Sequence, residues 1–329
     1  MKNIDFLAIG DIVTDAFIKL KDAATHCKLD NTACELCVRF GDKVPYEELI
    51  VAPAVGNSPN AAVSAARLGL NSALSAAVGD DLYGKECLDT LKKNNVISDY
   101  IDVDKVLPTN YHFVLWYDVD RTILVKHQAY ERKLNPNMPV PKCIYLSSLA
   151  ENTLDFHMEL TDYLDQHKDI LLAFQPGTFQ MKMGIDSLKR IYERSDIFFC
   201  NVEEAQRILN EESRDLKVLL DKIHELGPKI VVITDGIEGA YARDEEGEYL
   251  FVPVYPHTPF ERTGAGDAFS STVSAYMAMG LSLKEALLRG PINSMSVVQK
   301  IGAQEGLLEK DVLEKFLADA PEDYKVSNF

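Results

Sequence analysis

The chain has 329 residues, 47% of them hydrophobic, and a formal net charge of −17 from 51 acidic and 34 basic side chains. That length can bury a large core, whereas the acidic excess, without a Lys/Arg cluster, excludes nucleic acid and anionic membrane surfaces as natural partners. No apolar run approaches the ~20 residues that span a bilayer, and the N-terminus enters a strand pattern without a basic leader, so a cytoplasmic protein is expected.

Phe6 to Ile9 reads as a short buried strand, followed by Gly10-Asp11-Ile12-Val13-Thr14-Asp15. By itself Asp15 is equally a strand-end or capping residue. The next segment, 19–52, holds Cys27, Cys34 and Cys37 beside His26 and carries β-formers at Cys34 to Phe40, where Cys37 opens a strand pattern, and at Glu48 to Ala52. Cys34-Glu35-Leu36-Cys37 has metal-knuckle spacing. The scatter of the remaining cysteines, Cys87, Cys143 and Cys200, is no secreted disulfide framework and fits reduced, partly buried thiols. Ala54-Val55-Gly56-Asn57-Ser58-Pro59-Asn60 then leads into a helical pattern from Val63. Asn60 can cap that helix, while amides that both donate and accept suit a polyhydroxylated ligand.

Gly79-Asp80-Asp81-Leu82-Tyr83-Gly84-Lys85-Glu86 nearly spells a P-loop. However, Glu86 stands where a hydroxyl should hold magnesium, and Asp80 and Asp81 would repel phosphate. Tyr111 to Tyr117 and Thr122 to His127 pair as a hairpin across Asp118-Val119-Asp120-Arg121. Strand cores at Ala73 to Val78, Ile144 to Leu146, Ile170 to Phe174, Ile197 to Cys200 and Ile230 to Ile233 alternate with helical patterns. This is the rhythm of an α/β fold with a mainly parallel, doubly wound sheet, which binds ligands at its strands' carboxyl ends. Asn201-Val202-Glu203-Glu204 and Thr234-Asp235-Gly236-Ile237-Glu238-Gly239 lie at two such ends. An ordinary helix first turn would also be rich in Glu.

The most informative stretch is Thr263-Gly264-Ala265-Gly266-Asp267, a turn of small residues that runs into an apolar helix ending near Gly280. Its backbone can approach an anion closely, with helix N-terminal N–H groups pointing at phosphate. An Asp in a first turn is commonplace, but beside bound phosphate its carboxylate can take the proton of an attacking hydroxyl.

These residues resemble the PfkB-type (ribokinase-like) family of carbohydrate and nucleoside kinases, whose C-terminal signature reads Asp-x-Thr-Gly-Ala-Gly-Asp. Thr263 to Asp267 match it, whereas Glu261 and Arg262 depart from it. The resemblance implies Asp267 as catalytic base, with Gly264, Ala265 and Gly266 as anion hole. It implies Asp15, Gly56, Asn57 and Asn60 as substrate ligands, although Val55 and Pro59 depart from the family's Gly-Gly-x-x-x-Asn turn. It further implies Asn201, Thr234, Gly236, Gly239 and Thr263 at the nucleotide, and Glu204 at Mg2+ through water. Asp235 and Glu238 are expected to point away from phosphate. Gly79 to Gly84 resembles the family element that closes a strand before a helix, and Asn293 to Ala303 its nucleotide-side helix and loop.

ATP and Mg2+ are thus the implied cofactors, and the departures at Glu261 and Arg262 bear on a monovalent cation (K+) site. The expected domains are a large nucleotide- and substrate-binding unit (1–18, 53–109 and 128–329) and a small projecting β-sheet lid (19–52 and 110–127). Through that lid the family forms homodimers, and it excludes water from phosphoryl transfer. The implied reaction is transfer of the γ-phosphoryl group to a hydroxyl of a small sugar. A nucleoside acceptor and a non-catalytic sugar or nucleotide sensor are the alternatives. For a sugar phosphate, Arg39, Lys43, Arg121, Lys126 or Arg132 would have to supply charge. A nicotinamide-dependent dehydrogenase ranks last, because the first strand ends in Gly10-Asp11 rather than a Gly-rich turn.

Overall fold

The computed structural model describes residues 3–27, 34–117, 120–258 and 263–329. Its strands, in chain order, are β1 (Phe6–Ile9), β2 (Val13–Leu20), β3 (Ala24–Cys27), β4 (Cys34–Cys37), β5 (Tyr46–Val55), β6 (Ser72–Gly79), β7 (Ile97–Asp104) and β8 (Tyr111–Tyr117). They continue with β9 (Asp120–Leu124), β10 (Cys143–Leu146), β11 (Leu171–Phe174), β12 (Ile197–Asn201), β13 (Ile230–Thr234), β14 (Ala240–Arg243), β15 (Tyr249–Val252) and β16 (Ser327–Asn328).

A large sheet runs in the order β16-β15-β14-β13-β12-β11-β10-β1-β6-β7. From β13 to β7 neighbours are parallel, and β14, β15 and β16 close one edge antiparallel. The composition explains the difference. Strands β1, β10 and β13 are apolar runs buried on both faces, whereas β14 and β15 alternate buried and half-buried residues. Alternation along β1 feeds two cores. Phe6 and Ala8 pack with the helices Asn57–Arg67, Ala265–Ala278 and Leu283–Val297, while Leu7 and Ile9 pack with Leu154–Gln166, Ile185–Arg194 and Leu216–His224. Strand order reverses at β1, which lies between β10 and β6, so the carboxyl ends of β1 and β10 flank a switch-point crevice.

A separate four-stranded sheet, β5-β2-β8-β9, is antiparallel except for the β2–β8 pair. Register sets its faces. Asp15 lies opposite His112 and Phe17 opposite Val114, on one side; Ala16 lies opposite Phe113 and Val51, and Phe113 opposite Leu124, on the other. The second side is open, with Phe113 46% and Leu124 51% exposed.

The β3–β4 hairpin differs from expectation. Cys37 ends β4 rather than opening a strand, because its partner Ala24 is the first residue of β3. Cys27 and Cys34 face each other across the pair and form a disulfide, so these two thiols are not reduced; Cys37, Cys87, Cys143 and Cys200 remain free. With two sulfurs bonded to each other, no group of three or more potential metal ligands comes together among the described residues. Strand β9 begins at Asp120 and ends at Leu124, so Asp120 and Arg121 belong to the strand rather than the turn. Asp118, Val119, Glu261 and Arg262 lie outside the described residues. Among those residues no helix is long and apolar enough to cross a membrane.

Candidate active site

The helix Ala265–Ala278 starts from Gly264, whose φ of 78° is left-handed. A Cβ at Gly264 would lie 2.5 Å from Cβ of Ala303. Only glycine meets both demands without strain. Thr263 directly precedes this cap, and Asp267 is the third helical residue, 8% exposed. Downstream the helix ends as expected, at Ala278, with Gly280 at φ 93° just beyond.

Three amides converge on the Asp267 carboxylate. Asn57 Nδ2 donates to Oδ1 at 2.8 Å, Asn60 Nδ2 to Oδ2 at 2.8 Å, and Gln175 Nε2 to Oδ1 at 3.2 Å. Burial raises the carboxyl above its usual range, and these donors oppose that rise. Asn57 and Asn60 occupy the first turn of the helix capped by Gly56, so neither is its N-cap. Gln304 Nε2 donates to Asn60 Oδ1 at 2.9 Å and to the Ala54 carbonyl at 2.7 Å, which turns the Asn60 amide nitrogen toward Asp267.

Two carboxylate–imidazole pairs stand at the β1–β2 end. His127 Nδ1 donates to Asp11 Oδ2 at 2.9 Å, and His112 Nδ1 lies 3.4 Å from Asp15 Oδ1. The imidazoles pack 5.1 Å apart, and His127 meets Phe179 edge-on at 5.2 Å. His112 Nε2 is buried without a partner among the described residues. Of the basic residues considered for a phosphorylated acceptor, Arg39, Lys43 and Lys126 are exposed. Arg132 is buried, but its Nη2 donates to the Ser75 carbonyl at 2.9 Å and its guanidinium packs on Phe156.

On the other side of the Gly264 turn lies a cavity of about 600 Å³, lined by Asn201, Thr234, Gly236, Gly239, Ala265, Gly266, Phe269, Met295 and Val298, among others. Asn201 and Glu204 form a reciprocal capping box: Asn201 Oδ1 accepts from the Glu204 N–H at 2.8 Å, and Glu204 Oε2 accepts from the Asn201 N–H at 2.9 Å. Burial raises the Glu204 carboxyl, and the negative charge of Asp267 adds to that rise against the hydrogen bond from the Asn201 N–H; Asn201 and Glu203 wall the cavity, whereas Glu204 does not. Asp235 is drawn to Arg214 Nη2 at 2.9 Å, yet Asp235 and Glu238 both contribute to the cavity wall. The near P-loop is a cap: Asp81 Oδ1 accepts from Gly84 N at 2.8 Å at the start of the helix that follows β6.

Most of the residues singled out in the sequence fall into two groups, whereas Thr263, Gly264 and Glu204 do not line the cavity. Asn201, Thr234, Gly236 and Gly239 line the cavity together with Ala265 and Gly266, while Gly56, Asn57 and Asn60 gather on the Asp267 side. Asp15 stands instead opposite His112 in the four-stranded sheet. Gln175, Asp11, His112 and His127 are absent from the sequence-derived set. A polar residue just after a buried strand was the available signal for Gln175.

Known proteins share this fold and family. The chain is 26% identical over 272 residues to ribokinase of Bacillus subtilis (strain 168), covering 80% of this chain and 87% of that protein. Arabidopsis thaliana ribokinase, solved with ribose and ATP, superposes with a TM-score of 0.80 at 18% identity, covering 96% of this chain and 99% of that one. The Methanocaldococcus jannaschii nucleoside kinase gives 0.79 at 17% identity, covering 97% and 100%. Residues 32–311 match the pfkB family of carbohydrate kinases, and the chain belongs to that family of phosphotransferases acting on hydroxyl groups.

Proposed function

We propose that the chain transfers the γ-phosphoryl group of ATP to a hydroxyl of a small sugar or sugar-like acceptor, with Asp267 taking that hydroxyl's proton. The observation that carries this reading is a buried carboxylate, held on both oxygens by amides, in the first turn of a helix whose leading residues wall a nucleotide-sized cavity. A carboxyl raised by burial is a stronger base than an ordinary one. As the acceptor oxygen attacks phosphorus, its proton passes to Asp267 and the bond to the leaving ADP oxygen breaks. N–H groups of Gly264, Ala265 and Gly266, at the positive end of the helix, stabilise the charge that develops on the transferring group.

Glu204 and Asn201 offer hard oxygen donors for Mg2+. An ion that keeps several waters and takes phosphate oxygens needs no full protein cage, and Asn201 stands at the cavity wall. Bound there, magnesium would offset phosphate charge against the acidic surroundings. Thr234, Gly236 and Gly239 would lie along the nucleotide, with Thr263 at the turn.

Asp15, Gly56, Asn57 and Asn60 would orient the acceptor. The polar pairs of Asp11 with His127 and Asp15 with His112 suit an uncharged, hydroxyl-rich ligand, and Arg132 is engaged elsewhere. A second reading, a nucleoside acceptor, draws on the His127–Phe179 ring pair, which offers a base an aromatic face. The four-stranded sheet would act as the lid over this site, its exposed face (Leu49, Val51, Phe113, Leu124) joining two copies. The proposed setting is the cytoplasm, where ATP and magnesium are supplied.

ADP release from magnesium-ATP, measured against a panel of sugars, sugar phosphates and nucleosides, tests the reading. Turnover with a neutral sugar is expected. Turnover restricted to sugar phosphates would overturn the acceptor assignment.

A further inference from the structure

Gln175 follows β11 and is anchored there, its backbone N–H donating to the Leu146 carbonyl at 2.9 Å. Its side-chain oxygen is held by two hydroxyls. Tyr145 OH donates to Oε1, and Ser270 Oγ lies 2.6 Å from the same atom. Tyr145 is fully buried; that burial, reinforced by the Asp267 charge, keeps its phenol protonated far above the usual range. The phenol is therefore a permanent donor, and Oε1 must accept. This leaves the amide N–H to face Asp267 Oδ1, where it lies at 3.2 Å.

Asn57 and Asn60, the other two donors, ride on the helix that follows lid strand β5 and are assigned to the acceptor. Gln175 is the donor tied to the core sheet. We propose that Gln175 is a positioning residue for phosphoryl transfer, acting through Asp267: it fixes the carboxylate's rotation so that an oxygen is presented to the acceptor hydroxyl when Asn57 or Asn60 turns to the substrate. The inference rests on the reading of Asp267 as base.

Gln175→Met keeps the chain length and removes the N–H. The expected result is a kcat about tenfold lower, the usual weight of one hydrogen bond to a charged group, with the KM for ATP unchanged. Losing a donor to the carboxylate favours its protonated form, so the acid limb of kcat/KM for the acceptor moves to higher pH. Tyr145→Phe, which leaves Oε1 to Ser270 alone, moves the limb in the same direction by less. The double variant falls no further than Gln175→Met alone, because Tyr145 acts through Gln175.

Wild-type kcat and an unmoved limb in Gln175→Met would overturn the proposal, as would additive losses without any limb movement. If Gln175→Met does not fold, the Tyr145→Phe profile decides in the same way. Asp267→Asn separates the two claims. An active Asp267→Asn removes the base itself, whereas an inactive one beside a wild-type-like Gln175→Met removes only the positioning role.

Discussion

Burial and hydrogen bonding act in opposite directions on Asp267, and both work in favour of a base at neutral pH. Desolvation lifts the carboxyl above the ordinary range, and the three amides keep it ionisable. Activity should therefore rise with pH through an acid limb above that of an ordinary aspartate, since the base must be ionised to accept a proton. The helix cap that Glu204 forms and the magnesium role proposed for it can be separated. Glu204→Gln retains an oxygen for the Asn201 N–H and removes the charge, so it should raise the magnesium concentration needed for half-maximal rate while leaving unfolding within about 0.5 kcal/mol of wild type. Glu204→Ala should in addition lose the capping interaction, at about 1 kcal/mol in a denaturant melt. An unaltered magnesium requirement in Glu204→Gln would remove Glu204 from the metal site. At this scale the sequence pointed to Asp267 through the small-residue turn that precedes it and to Glu204 through the resemblance of Asn201 to Glu204 to the family's Asn-x-x-Glu. It named Asn57 and Asn60 as substrate ligands but could not carry their contact with Asp267, nor Gln175 at all, because Gln175 and Asn57 lie 92 and 210 residues from Asp267 along the chain and only the fold brings them together.

The Gly264 turn separates packing from ligand approach. Gly264 is required by its left-handed backbone and its contact with Ala303, so Gly264→Ala should lose at least about 1–2 kcal/mol of stability. Gly266 is different: a Cβ there meets nothing within 4 Å, and alanine is the better helix former by ~1 kcal/mol. Gly266→Ala should therefore melt no earlier than wild type. Its turnover should nonetheless fall, if the bare backbone serves to approach phosphate. Undiminished turnover would show that Gly266 is not part of the anion hole. The parallel strands were legible because burial on both faces demands continuous apolar runs, as in Ile230–Thr234. The β3–β4 hairpin was not, because its residues are largely exposed and no core fixes a periodicity.

Across the whole molecule the sheet reversal at β1 explains how segments from both ends of the chain share one crevice. The second sheet was legible as a break in the strand–helix rhythm, but its register, which sets His112 beside Asp15, follows from pairing between distant segments and has no local signature. Its open face carries the homodimer prediction. Phe113→Asp should convert a dimer to a monomer in light scattering, and a monomeric wild-type protein would contradict the proposed interface. Proton transfer to Asp267 is the central step of the proposed reaction. The most direct test is the turnover of Asp267→Asn on the acceptor that the wild-type enzyme uses, with ATP binding measured in parallel. A loss of ~10² or more in kcat with nucleotide binding retained is the expected result; near-normal turnover would contradict the mechanism.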